Sequence, residues 1–446
     1  MTRSKWWLLA PALLLVLSGA APGEGGGLSN TETFGGFEFN FNNPGARALG
    51  MGGAFIAVAD DATAVVTNPA GLVTLQRPEI SAEVKFTKFT NTIRNFSATE
   101  QEALAGSVRS RDFDDEVTTP SFFSFVYPTE RLVVAVFMRE LVNFKTSFMT
   151  EGAILPDGFR FFPGGFRLFP VKSDLELTAL NLGAGVGINL AKVHPLLPSL
   201  GASIEFSHGV VSSKLQRFSL ATFEGPPDFS QDNVRVTTLV SGEDISAGFN
   251  VGALWRPLKD LSLGAVFRRG PRFEMQQTVE RGPTLFPGSR SFFDFAVKVP
   301  DVYGAGVSYR LFDRLTVGLD VVRIRYSQLL GDFQIIFFTP DQPLTQPGQY
   351  RLDDATEVHV GAEYVFFVRN ALFALRAGFF TDPDHKIRFT GPANHLVERA
   401  LFPGGRDQNH YTGGFGVVPI PGLQIDFAVN RSDTVNEFVV STVFRF

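Results

Sequence analysis

Four basic residues, Arg268, Lys298, Arg310 and Arg376, alternate with apolar neighbours along their segments. The acids Glu205, Asp320, Glu357, Glu363 and Asp426 are placed in the same way. A cation beside an apolar slot holds a carboxylate by charge-assisted hydrogen bonds. The same cations set among carboxylates make a network that pins one part of a molecule to another. Both are chemistries of holding, and residues arranged for bond making are missing. The histidines at 194, 208, 359, 385, 395 and 410 form no HExxH pattern and no i, i+4 pair, so no metal is expected. Gly50-Met51-Gly52-Gly53 lacks the Lys-Ser/Thr of a phosphate loop, and no G-x-S-x-G occurs. Ser207 and His208 are adjacent, and adjacent strand residues face opposite sides, which rules out a dyad. The chain has no cysteine, hence no disulfide, no thiolate metal site and no lipid-modified amino terminus. We expect no catalytic residue, no cofactor and no enzyme.

The second concentration of chemistry is aromatic. The stretch 159–170 carries Phe159, Phe161, Phe162, Phe166 and Phe169 among Gly, Pro and Arg. Phe223 and Phe286 fall in two later loop-like stretches. Apolar loops at that density are costly in water and mark a surface that collects an apolar ligand, or an aromatic girdle with loop packing. The net charge of −5 comes without any basic stripe, so no nucleic-acid partner is expected.

Strands must carry these residues. From Glu79 onward apolar residues recur every second position. Leu423, Ile425, Phe427 and Val429 oppose Gln424, Asp426, Ala428 and Asn430; Val358, Val360, Ala362 and Tyr364 oppose Glu357, His359, Gly361 and Glu363. Punctuation divides the chain into fourteen such runs, at about 79–95, 118–127, 132–149, 173–190, 199–220, 234–255, 261–281, 291–310, 315–338, 350–367, 372–389, 408–418, 423–430 and 436–446. Short turns alternate with long loops, which is the pattern of bacterial barrels with periplasmic turns and extracellular loops. An even count puts both chain ends on the periplasmic side. One run slips phase: Leu315, Val317, Leu319 and Val321 share a face, then Val322, Ile324 and Tyr326 take the other. This is read as a β-bulge, or as the point where the strand leaves the membrane.

The two ends agree with a barrel. Arg3 and Lys5, the apolar run 6–17 and Ser18-Gly19-Ala20-Ala21 form a secretory leader, residues 1–20. The last strand alternates and ends on Phe446, which suits recognition by the barrel-assembly machinery. Lumen and lipid faces alternate in a membrane barrel, which reconciles 47 Phe and 44 Gly with the absence of a second long apolar run. The expected fold is an all-β membrane protein, a 14-stranded antiparallel transmembrane β-barrel over 79–446. A small helical and loop hatch over 21–78 plugs its lumen. The expected location is the bacterial outer membrane, with its lipid as partner.

The region 45–72, GARALGMGGAFIAVADDATAVVTNPAGL, is rich in Ala and Gly and lacks strand alternation. With its Asn68-Pro69-Ala70-Gly71 motif shortly before the first strand, it resembles the amino-terminal hatch of the FadL/OmpP1/TodX family of outer-membrane proteins. The resemblance covers the hatch, the strand count and the terminal strand. It implies a monomeric barrel plugged from the periplasmic side, taking up a hydrophobic small molecule such as a long-chain fatty acid or an aromatic hydrocarbon. It also implies that the Asn68 motif is a hinge, where the residues themselves ask only for a turn. The family's side exit implies a kink in the third strand. Here 132–149 holds no Gly or Pro and is interrupted by Arg139-Glu140, so a bulge is required. The hatch sequence equally resembles PorV-like relatives, which implies a non-transporting role in protein secretion or surface attachment.

Overall fold

The computed structural model describes residues 28, 31–35, 43–96, 109–130, 132–152, 154–155, 166–167, 170–190, 194, 197–218, 227–281, 290–331, 334–335, 344–345, 347–369, 371–393 and 395–446. Residues 1–20, expected to be a leader, and most of the aromatic loop positions therefore lie outside the described residues. Sixteen strands form one antiparallel sheet. They are β1 (Glu79–Phe96), β2 (Arg109–Pro128), β3 (Leu132–Thr150), β4 (Val171–Ile188), β5 (Ser199–Phe218), β6 (Val234–Leu258), β7 (Leu261–Arg269), β8 (Arg272–Arg281), β9 (Arg290–Lys298), β10 (Val302–Leu311), β11 (Leu315–Ile324), β12 (Ala355–Val368), β13 (Ala371–Asp382), β14 (Gln408–Ile420), β15 (Leu423–Arg431) and β16 (Val435–Arg445). The ring closes where β1 pairs with β16, from Glu79↔Arg445 to Phe89↔Val435. Arg445 Nε donates to Glu79 across this seam at 2.6 Å.

The strand predicted over 261–281 breaks at Gly270-Pro271 into β7 and β8, and that over 291–310 breaks at 299–301 into β9 and β10. Proline cannot continue a ladder as donor. Below the crease, β6 pairs with β7 and β7 with β10. Beyond it, β8 pairs only with the far part of β6 and with β9. The β8–β9 hairpin is thus an extension that leaves the cylinder, and the closed barrel has fourteen staves. Phe295 and Val299 are buried whereas Tyr303 is exposed, so residues of one parity in 291–310 change sides at the crease.

Side chains on the outside form a greasy belt. Leu180, Leu182, Phe206, Ile245, Val251, Leu319 and Val360 are all exposed, Ile245 at 68%. Lumen partners such as Asp426 and Asn430 are 1% exposed. A soluble sheet would hide the first set and wet the second, and a bilayer reverses the preference.

The hatch fills the short-turn half of the lumen. Helices α2 (Ala46–Gly50) and α3 (Ala64–Thr67) and a 3₁₀ turn over Pro69–Thr74 make it. Its backbone lies directly against glycines of the wall: a Cβ on Gly361 would sit 2.0 Å from Met51 O, and one on Gly201 2.2 Å from the carbonyl carbon of Pro69. Only residues without side chains permit that approach.

The long-loop half of the lumen is different, being packed with apolar side chains. Leu141, Phe144, Leu175, Leu177, Val211, Phe273, Met275 and Phe295 meet Tyr326, Leu329, Leu401 and Phe402 there. A short helix, α1 (Glu32–Gly35), and Leu28 lie among them. This corrects the bulge reading of the phase slip near Val321. The β10–β11 and β11–β12 ladders run through to Ile324 without a register shift. Ile324 and then Tyr326 are buried because the interior itself turns apolar at that height.

The third stave does carry a bulge. Its register with β4 shifts between Glu140 and Val142, leaving Leu141 over. Its ladder with β2 runs only from Pro128↔Val133 to Phe122↔Arg139. Beyond that, β2 stays with β1 and β3 with β4, so the backbone ladder parts between the two strands, and side chains bridge the parting: the rings of Phe113 and Phe148 lie 6.1 Å apart and Arg111 donates to Glu151 at 3.0 Å.

Candidate functional site

Asn68 ties the hatch motif together. Its side-chain amide donates to Ile56 O at 2.9 Å and to Ala253 O of the wall at 3.1 Å, while its oxygen accepts from Ala70 N at 3.2 Å. Gly71 N donates to Asn68 O at 2.8 Å. Asn68, Pro69, Ala70 and Gly71 are all buried. Asn68 does more than shape its own turn, because one of its two donors reaches the barrel.

An ionic layer fastens the hatch on its far side. Arg376, with 2% of its side chain exposed, donates to Glu363 at 2.7 Å and lies 2.8 Å from Asp426. Arg47 of the hatch donates to Glu363 at 2.8 Å and to Asp60 at 2.5 Å. Burial works against the Arg47 charge. The surrounding carboxylates Asp60, Glu363 and Asp61 outweigh it and hold the guanidinium above its ordinary pKa. Burial raises the Asp61 carboxyl, against the opposing pull of Arg47 and of Thr63, whose backbone N donates at 2.9 Å. Beneath this layer a cavity of about 410 Å³, lined in part by Arg77, Phe373 and Arg445, opens at the short-turn end.

Of the cations singled out by sequence, Arg268 and Arg376 meet the hatch or its counter-ions. Arg268 donates to Thr67 O at 2.9 Å and Asn43 at 2.8 Å. Arg310 lies 4.0 Å from Asp60 with half its side chain exposed. Lys298 sits at the crease, where its ammonium donates to Gly270 O at 2.7 Å, Val299 O at 2.9 Å and Asp301 at 2.7 Å. Phe159, Phe161, Phe162, Phe169, Phe223 and Phe286 lie outside the described residues. The backbone of Phe166 pairs with Leu155 in a two-residue ladder.

Sequence reasoning named Arg139, Glu140 and Glu205 but missed Lys85, Glu83 and the pairing of these charges around the parting of β2 and β3. Arg139 donates to Glu205 at 2.7 and 2.9 Å, and Glu140 takes Lys85 at 3.0 Å. Glu83 accepts from Gly45 N of the hatch at 2.6 Å and from Ser121 at 2.7 Å. The bulge brings Arg139 and Glu140 to partners on opposite sides of the gap. Arg217 was missed as well, although it shares parity with Glu205 on one strand.

The site therefore has three levels: an apolar chamber at the long-loop end, a parted wall at the outer rim of the greasy belt, and an ionic floor made by the hatch. It sets apolar packing above a closed floor and beside the place where the backbone ladder of the cylinder parts.

A family profile described as outer membrane protein transport protein (OMPP1/FadL/TodX) matches residues 29–438. Among curated proteins none matches the sequence. A Pseudomonas aeruginosa FadL homologue has the same fold, with TM-score 0.62 and 15% identity over 92% of this chain and 100% of that one. The Ralstonia pickettii toluene transporter TbuX aligns with TM-score 0.55 and 16% identity, over 92% and 100% of the two chains. The P. putida toluene transporter TodX aligns with TM-score 0.57 and 13% identity, over 91% and 99%.

Proposed function

This chain belongs to the OMPP1/FadL/TodX family of outer-membrane transport proteins, and we propose that it carries hydrophobic compounds such as long-chain fatty acids or aromatic hydrocarbons passively into the cell envelope. The observation that carries the reading is the division of the lumen. A packed apolar cluster in the long-loop half sits above a hatch held by buried ion pairs. Water-soluble solutes find no continuous polar path through packed Leu, Phe and Met, whereas an apolar solute exchanges one greasy environment for another.

The route we propose leaves sideways, where the β2–β3 ladder stops. Leu141, the extra residue of the bulge, is part of the apolar chamber, so chamber and gap are continuous. On the outside the gap begins level with Leu180, which pairs with Glu140 and is the last exposed apolar residue of β4 before Thr178 and Glu176. A PorV-like role would ask for a smooth third stave and a polar lumen, and neither suits this bulge and chamber.

Uptake of radiolabelled oleate and of toluene, compared between a deletion strain and its parent, tests the reading. The deletion strain is expected to take up at least one of them several-fold more slowly. Equal uptake of both in the two strains overturns it.

A further inference from the structure

A second cavity, of about 290 Å³, opens at the short-turn end beside the first, and Asp60 and Thr74 of the hatch line both. On the wall side it is lined by Arg256, Ser262, Ser308, Arg310 and Thr316. They come from β6, β7, β10 and β11, and the period of two turns them all inward. Ser262 stands opposite Ser308 and Arg310 opposite Thr316, while Arg256 lies in the register shift between Trp255 and Leu258. Ser308 Oγ donates to Ala57 O of the hatch at 3.4 Å. The hydroxyls of Ser262 and Thr316 make no hydrogen bond among the described residues. Among the same residues the Arg256 guanidinium makes neither an ion pair nor a hydrogen bond, and the Arg310 guanidinium approaches one carboxylate, Asp60, at 4.0 Å. Asp60 is itself engaged by both terminal nitrogens of Arg47, at 2.5 and 3.5 Å. The remaining charges of the recess belong to the turn between β6 and β7. There Lys259 lies 3.5 Å from Asp313, and Asp260 accepts from Arg310 N through its backbone oxygen at 2.8 Å.

We propose that this recess binds a small dianionic oxyanion, phosphate or a phosphate monoester, from the periplasmic side, and that the bound anion clamps the hatch to the wall. The physical reason is a surplus of donors. Two guanidiniums and two hydroxyls without hydrogen-bond partners share one polar space. A guanidinium fork gives an oxyanion two parallel N–H bonds, and each hydroxyl gives one more. A phosphoryl group offers a tetrahedron of oxygens and two charges, enough to meet both guanidiniums and both hydroxyls at once. A carboxylate, with two oxygens and one charge, satisfies about half of them. Asp60 is the opposing charge, and its bonds to Arg47 leave Arg310 to the anion. The clamp follows from the walls of the recess. One side is hatch and the other is barrel, so the site is complete only while the hatch is seated. A ligand that binds the seated form and not the displaced one stabilises the seated form by mass action. This site lies below the ionic floor, and neither the transport reading nor the side route requires it.

Calorimetric titration of the full-length protein in phosphatidylcholine nanodiscs tests this, with inorganic phosphate and glycerol 3-phosphate as probes and sodium chloride at matched ionic strength as the control. At least one probe is expected to bind saturably at a single site, and the tighter of the two identifies free phosphate or an ester as the occupant. Arg256→Gln and Arg310→Gln are each expected to weaken that probe by about tenfold or more, and Thr316→Val by about threefold. Heat-modifiable gel migration in chloride checks that each variant is folded, and the three substitutions are independent, so one that fails to fold leaves the other two to decide. Hydrogen exchange of the hatch amides over 57–74 is expected to slow at saturating probe and to stay unchanged in chloride. If neither probe binds above the chloride control, or if the folded variants all bind as the native protein does, the inference is wrong. Binding without slower exchange in the hatch overturns the clamp.

Discussion

Single residues here do two kinds of work, fastening and sealing, and the fastening residues are the ones most sensitive to charge. Asp61 illustrates the sign. Its pKa in the folded protein is raised by burial, so the folded state binds a proton more readily than the unfolded chain. The stability it contributes is complete below the ordinary carboxylate range and is lost as pH rises through the raised value. Asp61→Asn keeps the oxygen that accepts from Thr63 and removes the titration. The variant is therefore expected to gain in thermal midpoint relative to the native protein as pH rises from about 3 towards 7, measured by heat-modifiable gel migration. A constant difference across that range would show that burial of Asp61 is not what sets its balance. The alternating pattern found Arg268 and Arg376 as lumen cations because period two is local. It could not find that Lys298 meets backbone carbonyls at a crease, since that depends on where Pro271 and Pro300 break two distant strands.

At the scale of the element, the third stave is decisive. Its sequence has no Gly or Pro to announce a kink, and the interruption is Arg139-Glu140-Leu141. An extra residue leaves both charges on inward partners, Glu205 and Lys85, and leaves Leu141 in the chamber. A strand that kept strict alternation would put one of those two charges into lipid, at a cost of about 2–4 kcal/mol for a basic residue at mid-bilayer and less towards the rim. The bulge avoids that by turning the strand away from β2. Deleting Leu141 removes the extra residue and lets β3 follow β4 in one register. Uptake of oleate is then expected to fall about tenfold or more, because the side route is closed. Undiminished uptake would place the exit elsewhere. The hairpin β8–β9 makes the complementary point: its residues alternate like any barrel strand, yet its inward face packs Phe273, Met275 and Phe295 in the apolar cluster and, among the described residues, its outer edge pairs with no other stave.

For the whole molecule the governing fact is a cylinder that closes between its first and last strands. Closure leaves no backbone edge where the first and last strands meet, and a sheet that spans a membrane must hide its edges in this way. The carboxy-terminal strand both supplies that seam and ends on the exposed Phe446, whose amide donates to Pro78 O at 3.1 Å. Phe446 is half-exposed and its ring stacks only on that of exposed Phe444 among the described residues, 5.9 Å between centroids; Phe446→Ala is expected to lower the amount assembled in outer membranes several-fold. The melting of the protein that does assemble should shift by under about 0.5 kcal/mol. Unchanged assembly would remove the role of the terminal aromatic. The sequence by itself determined the strand count, the hatch and the compartment, because alternation, turn residues and the hatch motif are each local to a few consecutive positions. It did not determine the parted wall, the inward hairpin or the pairing of Glu32 with Arg217. Those join residues up to 185 positions apart, and only the closed barrel, by bringing the amino-terminal segment up into its own lumen, decides which of many buried charges meet.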